Sequence, residues 1–397
     1  MTVTPDATPA APDRRRVRVL FVIPGMNASA GAEQSFAALA PCWADLGVEM
    51  HLVVLTERQA LLGAVERDGV VVHDRSAARG TLGAARAVVE VVRNVGPDVV
   101  HATLWDAAVP SHLASLRTRL PLVVTWASVG NAAQHTGPVG AKVRAVRTLE
   151  AALARNPRVH FHAVTAGVGE ANRRALGVPA SKVSVVERGR PDLAGTVDDA
   201  AAARVRAELG IAPEERIVLA VGRHEPVKDH VTLVRAVAIA RAAVGPDRPV
   251  RLLVAGRTGS ATADLETAIR DSGAAAAVQL LGQRDDVPTL LAAADVFAMS
   301  SRSEGAAGAL IEALMMGVPV VSTDVEGQRG ILVDGANARV VPVGDAEAFG
   351  AALTSVLAGD GEDERLARAG RRTYEDRFTL ARSAEGMAAL YRTQRAG

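Results

Sequence analysis

Aromatic side chains are scarce: 397 residues hold three Trp, two Tyr and six Phe. This argues against a sandwich or a barrel with aromatic girdles, and leaves Ala, Val and Leu to supply the core volume. A single cysteine, Cys42, rules out an internal disulfide framework and a multi-cysteine metal site. It reads as a small apolar packing residue. Charge of one sign is missing too, since 45 Lys plus Arg face 44 Asp plus Glu for a net charge of +1. Nothing therefore suggests a nucleic-acid wrapper or a polybasic membrane anchor, although a local basic site for a small anion stays open. No apolar run approaches the length of a bilayer span, and residues 1–16 have no apolar core of signal-peptide length. The expectation is a disordered tail, 1–16, on a cytoplasmic protein.

What is present is alternation. A chain of this length usually exceeds one core, so two domains are expected. Short Val-, Leu- and Ile-rich runs predict strands at 17–23, 50–56, 70–72, 99–101, 122–125, 159–164 and 183–186. Ala-rich helical segments, such as 32–46, 81–95 and 142–154, lie between them. The scheme repeats with strands at 217–221, 252–255, 278–281, 296–299, 318–322 and 340–341, and helices at 230–244, 261–271, 287–293, 308–316 and 346–357. Apolar strands separated by helices predict α/β domains with parallel sheets covered on both faces. The pattern breaks over 189–200, which reads as a linker between domains at 17–188 and 201–378. A last helix over 379–395 is able to pack on either domain. Two doubly wound domains imply a cleft beyond the carboxyl ends of their strands.

Two loops carry candidate chemistry. The apolar strand 217–221 delivers Gly222 and then Arg223 and Lys228, two cations five residues apart ahead of a helix. They suit a diphosphate as fork and point charge, or they are surface cations of a solvated loop. The segment Ser300-Ser301-Arg302-Ser303-Glu304-Gly305-Ala306-Ala307-Gly308 then leads into a helix, where small residues leave backbone N–H groups open to an anion. Glu304 and Glu312 are eight residues apart, about 12 Å if both were helical, so they are poor proton-sharing partners. Separate parts of one long ligand suit them better: a sugar ring for Glu304 and a ribose hydroxyl for Glu312. The neighbours of Glu312 are nearly all apolar, so its carboxylate needs a donor partner.

The Arg223–Lys228 pair, the Glu304 to Glu312 spacing and the run Ala313-Leu314-Met315-Met316-Gly317-Val318-Pro319-Val320-Val321 together resemble the retaining GT-B enzymes of glycosyltransferase family 4. The likeness covers nearly the whole chain after the tail and is strongest over 219–342. It implies two Rossmann-like domains facing a cleft, an acceptor domain first and a nucleotide-sugar donor domain second. It also implies that the last helix, within 379–397, crosses back to the first domain. By the same resemblance Arg223 and Lys228, beside Gly222, bind the donor diphosphate. Glu304 and the amides of Gly305, Ala306, Ala307 and Gly308 surround the sugar, Glu312 holds the ribose, and Arg284 borders the base. Gly31, within Ser29-Ala30-Gly31-Ala32-Glu33-Gln34, resembles the family's Gly-Gly-x-Glu turn near the phosphates. It is not the spaced triple glycine of a dinucleotide fingerprint.

The departures fall around the sugar and the acceptor. Ala30 replaces a glycine, Ala306 stands where an aromatic is common, and Ala127 stands where many members carry a His. Trp126 and His101 are the acceptor-side candidates, although His101 equally suits a structural role at its strand end. The implied reaction is front-face transfer with retention, needing no cofactor beyond the nucleotide-sugar and no metal, because two cations replace a divalent ion. The acceptor is a small molecule, a glycan or a lipid-linked compound. The cation-and-apolar stretch 142–149 suits either an acidic bilayer surface, hence peripheral membrane contact, or an ordinary surface helix. The rivals are a nucleotide-sugar epimerase on the same scaffold and a non-catalytic sugar-nucleotide-binding partner protein. A periplasmic-type sugar binder fits less well without an export signal.

Overall fold

The computed structural model describes residues 16–27, 31–57, 60–129, 148, 150–245 and 247–396. The predicted tail, most of the acceptor loop that begins at Ser128, and nearly all of 142–149 lie outside them. Seven strands form the first sheet: β1 (Val17–Ile23), β2 (Val48–Val54), β3 (Val71–Asp74), β4 (Val99–Thr103), β5 (Leu122–Trp126), β6 (Val159–Ala163) and β7 (Val183–Val185). Its order is β3-β2-β1-β4-β5-β6-β7, all parallel. Six more form the second: β8 (Arg216–Val221), β9 (Val250–Ala255), β10 (Val278–Gly282), β11 (Val296–Met299), β12 (Val320–Thr323) and β13 (Arg339–Val341). Its order is β10-β9-β8-β11-β12-β13, again parallel. Both orders reverse beside the domain's first strand, as in a doubly wound fold.

Alternation along β1 shows why the strands are nearly all apolar. Val17, Val19, Phe21 and Ile23 pack into one layer, and Leu20 and Val22 into the layer on the opposite face. Side chains alternate between faces, and helices cover both, so neither set can be polar.

Six helices position the cleft: α1 (Gly31–Leu39), α2 (Ala166–Leu176), α3 (His230–Val244), α4 (Gly308–Met316), α5 (Glu362–Arg377) and α6 (Leu380–Ala396). The helix predicted at 32–46 stops early. Pro41 removes a backbone donor, and the chain tightens into a 3-10 turn at Ala40–Cys42. Helix α5, absent from the predicted set, is charged along most of its length and buries Leu366, Gly370 and Tyr374. No helix among the described residues is long and apolar enough to cross a membrane.

The chain crosses between domains twice, and the crossings touch. The Arg190 N–H donates to the Phe378 carbonyl at 2.9 Å, and Tyr374 Oη donates to the Arg190 carbonyl at 3.0 Å. Gly189 permits this approach, because a Cβ there would lie 2.7 Å from the Thr379 carbonyl oxygen. Helix α6 then packs on the first domain, with Met387, Ala388, Leu390 and Tyr391 in the same layer as Val17 and Val19.

Candidate active site in the interdomain cleft

In the second sheet β8 and β11 are neighbours at the order reversal, where such sheets bind ligands. After β8 the chain turns at Gly222, across which the stem of Lys228 lies, its Cε 3.2 Å from where a Cβ would be. Lys228 Nζ donates to Glu304 Oε1 at 2.6 Å, and Ser301 Oγ donates to the same oxygen at 2.6 Å. The Glu304 side chain is only 10% exposed, and those two donors meet its buried oxygen. Backbone contacts stitch the loops together. Ser300 Oγ donates to the Lys228 carbonyl at 2.9 Å, and the Arg302 N–H to the Val227 carbonyl at 2.8 Å. The Arg302 guanidinium lies 2.8 Å from Asp229, which sits at φ 48 and caps α3 through the Thr232 N–H.

Arg223 is placed differently. Its side chain is 56% exposed, with a guanidinium nitrogen 3.3 Å from Glu225 Oε1. The other Glu225 oxygen accepts from Ser260 Oγ at 2.6 Å. Arg223, Gly31, Gly308, Glu312 and Arg284 line one interdomain cleft of about 590 Å³. Arg284 is bound there to Asp286 at 2.8 and 2.6 Å and to Glu208 at 3.0 Å. Those hydrogen bonds hold its guanidinium above its ordinary pKa.

The loop before α4 presents open amides. Ala307 occupies the N-cap without a capping side chain, so first-turn N–H groups are left for a ligand. Gly305 meets the first domain: a Cβ there would lie 2.0 Å from the Ala127 carbonyl oxygen. Ala306 is buried, and its carbonyl accepts from Arg188 at 3.2 Å. The donor that Glu312 needs is Arg190, whose Nε lies 3.3 Å from Oε1. Glu304 and Glu312 thus meet different cations.

Arg188 and Arg190 were hidden in what reads as the end of the first domain and its linker. The available signal was two arginines bracketing Gly189 just past β7. Arg190 is 7% exposed and also donates to Ser35 Oγ of α1 at 3.1 Å. Burial, helped by the neighbouring Arg190 charge, lowers the Arg188 guanidinium to about 10. On α1, burial likewise pushes the Glu33 carboxyl above its ordinary value.

His101 is not brought to an acceptor surface, because its ring is 1% exposed and both nitrogens are engaged. One nitrogen meets Tyr391 Oη at 2.7 Å and the other Thr125 Oγ1 at 2.6 Å, and that hydroxyl also meets His162 Nδ1 at 3.0 Å. The chain of contacts ties α6 to the first sheet, the structural alternative for His101. Trp126 stacks on Phe161 at 4.2 Å and, with Ala127 and His112, lines a second cavity of about 300 Å³.

Comparison with known proteins bears on the family and the fold. Residues 202–373 match the family described as glycosyl transferases group 1, and residues 30–189 match the glycosyl transferase 4-like domain. The lipopolysaccharide core biosynthesis glycosyltransferase LpsE of Rhizobium meliloti (strain 1021) is 34% identical over 174 residues, which is 44% of this chain and 49% of that one. The D-inositol 3-phosphate glycosyltransferase of Jonesia denitrificans is 31% identical over 317 residues, covering 75% of this chain and 72% of that protein. In fold, the crystal structure of Anabaena Alr3699/HepE in complex with UDP and glucose superposes with a TM-score of 0.78 at 20% identity, covering 94% of this chain and 99% of that one. Both matched regions, the long similarity to a named transferase and the two facing parallel-sheet domains lead to one assignment: the chain is an enzyme of the group 1 glycosyltransferases.

Proposed function

We propose that this enzyme moves a sugar from a nucleoside-diphosphate sugar to an acceptor hydroxyl with retention at the anomeric carbon and without a metal ion, as the family 4 enzymes it resembles do. The observation that carries the reading is the joined pair of loops, with Lys228 Nζ 2.6 Å from Glu304 at the mouth of an uncapped helix start. There the donor diphosphate lies between the α4 amides, Lys228 and Arg223, with its ribose toward Glu312 and its sugar toward Glu304.

In the transfer the anomeric C–O bond of the donor breaks, and its electron pair stays on the β-phosphate oxygen. The acceptor hydroxyl oxygen forms the new bond on the same face, and its proton passes to the departing phosphate. No protein base is needed, which makes Ala127 tolerable where many members of the family it resembles carry a His. Preorganised cations meet the developing charge, and one such donor is typically worth about 3 kcal/mol. A related structure holds UDP and glucose, which makes UDP-sugars the first donors to try. Relatives are named for lipopolysaccharide core and inositol phosphate, so both lipid-linked and small acceptors belong in the screen.

The test is transfer by Lys228→Ala and Arg223→Ala, with the product anomer read by NMR. Each variant loses about 10²-fold or more in turnover while remaining folded. Near-normal turnover in both, or an inverted product, would overturn the reading.

A further inference from the structure

We propose that Arg188 is a third cation for the donor diphosphate, supplied by the exit loop of the first domain; this rests on reading the cleft as a nucleoside-diphosphate-sugar site. Its guanidinium stands between two helix starts. One terminal nitrogen would lie 3.2 Å from a Cβ on Gly31, the first residue of α1. The same nitrogen donates at 3.2 Å to the carbonyl of Ala306, just ahead of α4. Arg188 therefore spans the gap between the two domains beside both helix starts, of which α4 has no capping side chain.

Its partners do not balance its charge. Among the described residues that one carbonyl is its hydrogen-bond partner, and no carboxylate comes within ion-pair distance. The other guanidinia on the cleft differ: Arg190 pairs with Glu312, Arg223 with Glu225, and Arg284 with Asp286 and Glu208. Arg257 is exposed. Glu33 is near enough to be felt electrostatically, yet it forms no ion pair with Arg188, and its Oε2 has no hydrogen-bond partner. The guanidinium is half-buried on the cleft wall and its remaining donors are open to the cleft, where an anion can reach them.

Of the substrate's parts, the diphosphate is the anion, and two helix starts favour negative charge in the space between them. A planar fork suits the non-bridging oxygens of the β-phosphate, where the electron pair of the broken C–O bond comes to rest. A mere domain clamp would need only the bond to Ala306.

The test compares full-length wild type with Arg188→Gln, Arg188→Lys and Lys228→Ala. Each is titrated calorimetrically with inorganic pyrophosphate and with the nucleoside monophosphate whose diphosphate best stabilises the wild type in a UDP, GDP and ADP panel. Expected for Arg188→Gln is at least about a tenfold loss of pyrophosphate affinity, little change for the monophosphate, and kcat lower by about 10²-fold. Arg188→Lys recovers part of both. If Arg188→Gln keeps wild-type pyrophosphate affinity and kcat while Lys228→Ala loses them, the role of Arg188 falls and the diphosphate site stands. If neither variant changes either quantity, the diphosphate site falls as well. Equal loss for pyrophosphate and monophosphate with a lowered melting temperature, unrecovered by Arg188→Lys, would make Arg188 a clamp and overturn the inference.

Discussion

Replacing Gly167 by Ala should slow transfer from outside the cleft. Gly167 lies in the first turn of α2, and a Cβ there would fall 1.7 Å from the carbonyl oxygen of Glu326 and 2.8 Å from its carbon. Both are backbone atoms of the second domain, so no rotamer change relieves the clash. Ordinary contact begins near 3.4 Å, so the two backbones must part by the difference, about 1.7 Å. The displacement reaches the site directly. A Cβ on Gly327 would lie 2.1 Å from the Glu304 carbonyl oxygen, and the adjoining Gly305 presses on Ala127. Within the first domain alone the change is mildly favourable, because Ala is better than Gly inside a helix by roughly 0.5–1 kcal/mol. Overpacking across the interface costs about 1–3 kcal/mol, so the net loss of stability is roughly 0–2.5 kcal/mol. Misplacement of about 1 Å at reacting atoms costs around 10²-fold. The expected result is kcat lower by about that factor with a melting temperature no more than several degrees below wild type, and Gly195→Ala, which meets open space, serves as the neutral control. Wild-type kcat and kcat/KM in Gly167→Ala would refute the reasoning.

Other perturbations test the buried framework and the chemistry. Tyr391→Phe removes the partner of a buried His101 nitrogen and should cost about 1–3 kcal/mol in urea unfolding; a loss below about 0.5 kcal/mol would contradict the linkage of α6 to the first sheet. Burial lowers His112, His162 and His230 to about 4, against 6.5 when unfolded. The unfolded chain therefore binds protons first, so stability is full above pH 6.5 and falls progressively between there and pH 4, by about 3 kcal/mol per group at most. Unfolding midpoints that match at pH 7.5 and pH 5 would refute this, and His162→Gln should flatten the slope. Excess chelator should leave turnover unchanged, whereas lost activity restored by Mn²⁺ would end the metal-free mechanism.

Local pattern accounted for the strands because both faces of each sheet are covered. A run such as Val296–Met299 then has to be apolar throughout, which is a property of the sequence alone. The loops after β8 and β11 were readable for a related reason. Small residues ahead of a helix, and cations beyond a strand end, take their meaning from neighbours a few positions away. The eight-residue separation of Glu304 and Glu312 likewise made them poor proton-sharing partners, and in the fold they meet different cations, Lys228 and Arg190.

Tertiary structure decided everything that depends on distant segments meeting. His101 offered an acceptor contact or a structural role, and Tyr391, 290 residues away, decided for the interior by filling one ring nitrogen. Arg188 and Arg190 carry no motif along the chain, and only the second crossing, at Thr379, holds their segment against the cleft. Gly167 carries no motif, and its need for a missing side chain arises only because Glu326 arrives from the other domain. Hydrophobic period and turn chemistry act over a few residues and are written in order along the chain, whereas charge compensation and steric closure act across space between residues whose proximity only the assembled fold creates.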